Sequence, residues 1–151
     1  MYILSKPILT QTEADTLLNM LKKSLDEYLS LPSPGDNTEI TVSGIDSNDT
    51  FKISIFQSKI AKKINFGARV SKNNVMLLEL HINPTNVHPN PNGEKIIGNH
   101  WHIYKEGYDI RWAFPAEDIG NQNFVELTLK YFEKFKVIET PHIDFKLDVG
   151  L

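Results

Sequence analysis

Two segments of the chain carry apolar residues at helical spacing, and the stretch between them alternates. Ala14, Leu17, Leu18, Leu21, Leu25, Tyr28 and Leu29 recur at three- and four-residue intervals and mark one face of a helix. Thr10 and Glu13 in front of that stripe have the spacing of a capping box, in which side chains satisfy the free N–H groups at a helix start. Pro32, Pro34 and Gly35 stop it, so the pattern predicts a helix over about residues 11–30. A second helix is predicted over about residues 124–136. Asn123 is its N-cap, Leu127, Tyr131, Phe132 and Phe135 form its stripe, and Lys134 and Lys136 suit the negative end of its dipole.

Between the helices the period falls to two. Phe51, Ile53 and Ile55 alternate with Lys52 and Ser54, and Ile64, Phe66, Ala68 and Val70 alternate with Lys63, Asn65, Gly67 and Arg69. Met76, Leu78, Leu80 and Ile82 then alternate with Leu77, Glu79 and His81. Half-buried antiparallel strands produce this pattern. Residues 39–43 add a short strand at an exposed edge, which leaves both a monomer and a strand-paired homodimer open. The expected fold is a single α+β domain spanning residues 1–151, a twisted antiparallel sheet of five to six strands over about residues 39–114 with both helices on its apolar face.

Register decides which polar residues share a face. With residues 72–74 as a loop, Val70/Met76, Ala68/Leu78, Phe66/Leu80 and Ile64/Ile82 pair on the apolar side, and Lys63, Asn65, Arg69, Glu79 and His81 share the other. With Glu106–Gly107 as a two-residue turn, Trp101 opposes Trp112 and His102 opposes Arg111. Trp101, Ile103, Ile110 and Trp112 then face the core, and His100, His102, Tyr104, Asp109 and Arg111 face outward. The loop Asn83–Asn92, rich in proline and asparagine, forms the rim of this polar groove.

Composition narrows the chemistry. A chain of 151 residues with 40% hydrophobic content buries roughly 70% of its unfolded surface and needs no staple. It has no cysteine, so disulfides, thiolate zinc sites and cysteine nucleophiles are excluded. No apolar run approaches the roughly 20 residues of a membrane span, and residues 1–11 lack a signal-peptide core, so a cytoplasmic protein without a membrane partner is expected. Gly-rich phosphate loops and the G-x-S-x-G elbow are absent, and no cofactor is expected. The net charge of −3 argues against a wholly basic nucleic-acid binder, yet residues 50–78 contain six lysines and arginines and no acid.

Four of the five histidines lie between His81 and His102. Histidine takes and gives protons near neutral pH, so His100 and His102 are read as the base and acid of a metal-independent ribonuclease or phosphodiesterase. His88, Tyr104 and Arg111 complete the catalytic set, and Lys59, Lys63, Arg69 and His81 hold phosphate or nucleic acid. A metal is the rival use of the same residues. His-x-His on a strand points two imidazoles to one side, and His100, His102 and Glu106 reproduce the H-x-H-x3-E fragment of cupins. Ala113 stands where that motif has glycine, and His142 is read as a surface residue.

The run HPNPNGEKIIGNHWHIYKEGYDIRWAFP from His88 to Pro115, followed by Leu127, Thr128, Leu129 and Phe132, resembles an uncharacterised family of small bacterial and mobile-element proteins. Its layout is also similar to toxin components of bacterial toxin–antitoxin pairs. That resemblance implies RNA or an antitoxin-like protein as partner. A non-enzymatic phage or plasmid protein that inhibits a host defence nuclease is the alternative, with the acidic segments 13–39 and 117–148 meeting a basic partner.

Overall fold

The computed structural model describes residues 8–60 and 62–144. In chain order the elements are α1 (Gln11–Asn19), β1 (Lys22–Ser24), β2 (Tyr28–Ser30), β3 (Asn37–Gly44), β4 (Thr50–Gln57), β5 (Ile64–Val70) and β6 (Met76–Ile82). They continue as β7 (His88–Pro89), β8 (Lys95–Ile96), β9 (His100–Ile103), β10 (Ala113–Pro115), α2 (Phe124–Lys134), β11 (Val137–Glu139) and β12 (His142–Asp144).

The main sheet has eight strands in the order β10-β9-β6-β5-β4-β3-β1-β11, more than the five to six expected. Every neighbouring pair is antiparallel except β1 with β11. The α+β class holds. One face of the sheet carries Ile53, Ile55, Phe66, Ala68, Leu78 and Leu80 into a single core with both helices. Tyr131 of α2 stacks on Phe66 at 5.1 Å and on Trp101 at 6.0 Å, and its hydroxyl donates to the Leu78 carbonyl at 2.8 Å. Aromatic pairs of this kind add stabilisation beyond the area they bury.

Both helix starts are built as the sequence reads. Thr10 with Glu13 and Asn123 with Glu126 form capping boxes. The end of α1 differs. The helix stops at Asn19 instead of continuing to about residue 30, because the next residues are drawn into the sheet. Leu21, Leu25 and Tyr28 keep helical spacing but are exposed, and Leu29 is buried from strand β2. Lys22–Ser24 pair with Val42–Gly44 of β3, so residues 39–43 are not an outer strand of the sheet: Val42 and Ser43 have a strand on both sides, while Glu39 and Ile40 are strand-paired with β4. The outer strands are β10 and β11.

The β5–β6 register matches expectation from Ile64↔Ile82 to Ala68↔Leu78. A bulge then pairs Arg69 with Met76, which turns Leu77 inward and leaves Met76 half-buried.

Lys22 is fully buried, and its ammonium joins three chain segments. Nζ donates to the carbonyls of Phe135 at 2.8 Å, Met20 at 3.0 Å and Leu18 at 3.2 Å, and lies 3.9 Å from the Phe135 ring centroid. Met20 and Phe135 cap the C-terminal ends of α1 and α2, where unpaired carbonyls and the helix dipole both favour a cation. Burial, aided by the charge of Lys136, pushes the Lys22 pKa down to about 7.

The sign of the resulting pH dependence follows from linkage. Between about pH 7 and the unfolded lysine value of about 10.4, the unfolded chain binds this proton more tightly, so stability is expected to rise with pH across that window. Burial raises the pKa of Tyr104 and Tyr131, so stability falls again above about pH 10. Urea unfolding at about pH 7.5 and about pH 9.5 checks this: wild type should gain up to about 1.4 kcal/mol per pH unit, and Lys22→Met should lose most of that gain. Parallel profiles for the two proteins would overturn the assignment.

Candidate metal centre

Pairing of β6 with β9 sets Leu78 against Ile103, Glu79 against His102, Leu80 against Trp101 and His81 against His100. Leu80 and Trp101 face the core, so the alternation of a strand sends His81, His100 and His102 to the opposite side. Their ring centroids are 4.7–5.0 Å apart. One nitrogen from each ring lies within 4.8 Å of the others. The ring of His88, from β7, stands 4.7 Å from His102 and 5.7 Å from His100.

One nitrogen of every ring is occupied. His100 Nδ1 donates to the Gly98 carbonyl at 2.9 Å and His102 Nδ1 to the Ile110 carbonyl at 2.6 Å. His81 Nε2 donates to Glu79 Oε1 at 3.2 Å, and His88 Nε2 to the Arg111 carbonyl at 2.8 Å. Carbonyl and carboxylate oxygens only accept, so these nitrogens carry the protons. In the neutral form of each ring the lone pair then falls on Nε2 of His100 and His102 and on Nδ1 of His81 and His88. Burial lowers the pKa of His102 to about 4, with repulsion from His81 adding to it, and burial lowers His100 as well. Both rings are neutral at physiological pH.

Glu79 reaches His81 across a strand that leaves it room. Gly67 is its cross-strand partner, and a Cβ there would come within 3.0 Å of Met76 Cε and 3.6 Å of Glu79 Oε2. A cavity of about 350 Å³ opens over the rings, walled by Lys63 and Asn65 at β5, by Glu79 and by the loop 84–89. Lys63 Nζ donates to Thr85 Oγ1 at 2.9 Å.

The loop is fastened at its far end. Asn90 is buried, and its side-chain amide accepts from Ala113 N–H at 2.8 Å and donates to Ala113 C=O at 3.0 Å. The amide thus supplies the pair of hydrogen bonds that a neighbouring strand would give β10. This fastening holds His88 over the cluster and explains why His100 and His102 are buried on the polar face of the sheet.

The sequence reading therefore placed several residues correctly on one surface, and the structure brings His81, His88, His100, His102 and Lys63 together. The others stand elsewhere. Tyr104 is in the core, where its hydroxyl accepts from Leu9 N–H and donates to Leu9 C=O. Arg111 turns its guanidinium to the carbonyls of Tyr108 and Gly107. Arg69 is paired with Glu39 at 2.8 Å and bonded to Ser54 and Asn74, and Lys59 is exposed beside Gly35. Glu106, the carboxylate of the cupin-like fragment, accepts instead from Gln11 N–H at the start of α1, at 2.7 Å.

Turn geometry accounts for these displacements. The loop between Lys105 and Asp109 has three residues, with Gly107 at φ +82° and Asp109 at φ +53°, so Ala113 rather than Arg111 lies across from His102, and Phe114 rather than Trp112 across from Trp101. His81, read as a phosphate contact on the same face, was not grouped with His100 and His102 as a ligand set, and Glu79 as its partner and Asn90 as the fastener went unassigned. The parity of Glu79 and His81 with His100 and His102 was the available signal for the first two.

Replacing Asn90 by alanine strands a buried N–H and a buried C=O on Ala113. Asn90→Ala is expected to cost about 2–3 kcal/mol in unfolding free energy and to speed amide exchange in residues 84–90. Denaturant titration and hydrogen exchange measure both.

No curated protein and no solved structure matches the chain. The segment 88–115, read above as resembling an uncharacterised family, falls inside the span that a family match covers. Residues 9–137 match the Family of unknown function (DUF6978), and the protein belongs to that family.

Proposed function

We propose that the protein is a metal-dependent hydrolase whose ion is bound by His81, His100 and His102. The observation that carries this reading is the convergence of one nitrogen from each ring within 4.8 Å, in rings that each have one nitrogen held by a fixed acceptor. Ligating histidines characteristically donate their second N–H to a carbonyl or carboxylate, which sets tautomer and orientation.

The metal-independent acid–base pair expected from sequence has weaker support. A general acid needs a proton within reach of the leaving group, and the N–H groups of His100 and His102 are both engaged by backbone carbonyls. The cluster contains only nitrogen donors, a set that suits zinc, cobalt, nickel, copper or ferrous iron over magnesium or calcium. Three protein ligands beside a cavity are the mark of a catalytic site, since structural sites close the fourth position. Such an ion acts as a Lewis acid and lowers the pKa of water toward neutrality. The chain's own residues then have defined tasks: Glu79 orients His81, the Ile110 and Gly98 carbonyls orient His102 and His100, and the loop bearing His88 limits access of bulk solvent.

Protein purified without chelator is expected to contain about one zinc-class ion per chain by elemental analysis. His100→Ala and His102→Ala should each weaken zinc affinity by at least about 100-fold, and Glu79→Ala by about 10- to 100-fold. Added zinc should raise the melting temperature of wild type and leave His102→Ala unmoved. A wild-type protein that is folded by circular dichroism and takes up no divalent transition metal would overturn the reading. Metal binding without any chelator-sensitive hydrolysis of ester substrates would remove the enzymatic half alone.

A further inference from the structure

Resting on the metal reading, we infer that the substrate carries a single phosphate ester group, held between the ion and Lys63. Charge supplies the first argument. Three neutral imidazoles leave both positive charges of a divalent ion uncompensated. Glu79 is the carboxylate that lines the cavity, and it is already hydrogen-bonded to His81. Lys63, on the same wall, adds a further positive charge. The loaded site is therefore a concave cationic surface, which draws anions.

Donor count supplies the second. Lys63 Nζ spends one N–H on Thr85 Oγ1, leaving two, and the Thr85 hydroxyl keeps its own proton to donate. The Asn65 side chain lines the same wall. A tetrahedral phosphate, with several acceptor oxygens, matches an ion on one side and this group of donors on the other better than a planar carboxylate does.

The surroundings limit the substrate to one such group. Arg69 and Lys52 both approach Glu39, and Lys59 is exposed beside Gly35. The basic stripe read from residues 50–78 thus provides one cation to the cavity and no continuous track for a polyanionic backbone. A volume of about 350 Å³ fits a phosphate ester with a compact leaving group. Hydrolysis of that ester breaks the bond from phosphorus to the leaving oxygen and forms one from phosphorus to a water oxygen. A proton from that water goes to the leaving oxygen, so no oxidant, reductant or second substrate is required.

Inorganic phosphate is the first probe, titrated into zinc-loaded protein by calorimetry. Lys63→Met should weaken phosphate binding about tenfold or more with zinc content unchanged, and Lys72→Met, on the β5–β6 turn, should bind phosphate as wild type does. Removal of zinc from wild type should weaken phosphate binding by at least as much as Lys63→Met does. Turnover of p-nitrophenyl phosphate and of bis(p-nitrophenyl) phosphate then separates monoester from diester substrates, and either supports the inference. Zinc bound stoichiometrically with equal phosphate affinity in wild type and Lys63→Met would overturn this inference and leave the metal reading standing. Failure to bind zinc at all would overturn both.

Discussion

Antiparallel pairing of β6 with β9 sets the character of both faces of the sheet at once. Leu80 opposite Trp101 fixes the apolar side, where Trp101 stacks on Tyr131 and Tyr131 in turn bonds the Leu78 carbonyl. Because side chains alternate, the same register forces His81 opposite His100 and Glu79 opposite His102. A slip of one residue would put two imidazoles into a core of aromatic and aliphatic side chains and Trp101 into the cavity. The packing of one tryptophan therefore enforces the geometry of three histidines on the opposite face.

The two strands are not neighbours in sequence. Residues 83–99 separate them, and that insertion supplies what the sheet face lacks. It folds back as the small β7–β8 ladder, presents His88 to the cluster, and is fastened to the segment 111–113 through His88 Nε2 and the Asn90 amide. Asn83 holds its beginning, donating its N–H to Asn99 Oδ1 and its side-chain amide to the Lys62 carbonyl. A loop of this length over a polar face would ordinarily leave many backbone groups to water. Here side-chain amides replace the missing strand, which is the physical meaning of the asparagine content between Asn83 and Asn92.

Legibility in the sequence tracked element length. The strands β4, β5 and β6 each show several alternations, and their register was readable as far as Ala68 and Leu78, where a bulge ended it. β1 and β11, which extend the main sheet beyond β3, have three residues each, too few for a period to show, and so the sheet was underestimated. Leu21, Leu25 and Tyr28 preserved a helical spacing that tertiary pairing of Lys22–Ser24 overrode. In the site, parity placed His81, His100 and His102 on a common face because all three sit inside strands. Tyr104, Glu106 and Arg111 lie beyond the end of β9, and there a three-residue loop with two left-handed positions breaks the alternation on which their assignment depended.

The cluster also has an internal tension that bears on its purpose. Three imidazole nitrogens held within 4.8 Å of one another place like partial charges together, and the buried rings of His100 and His102 have lost most of their hydration. Protonating one ring would relieve the repulsion, but burial opposes the charge, as the depressed values at His100 and His102 record. The fold resists the remaining escape, rotation of a ring, by tying one nitrogen of each ring to an acceptor: Gly98, Ile110 and Glu79. Holding like dipoles together by rigid outer contacts costs stability, and such costs concentrate where a ligand recovers them. A cation among the three nitrogens would turn the mutual repulsion into shared attraction. The orientation of the second nitrogens, more than the count of histidines, is therefore what distinguishes this arrangement from a chance grouping on a sheet face.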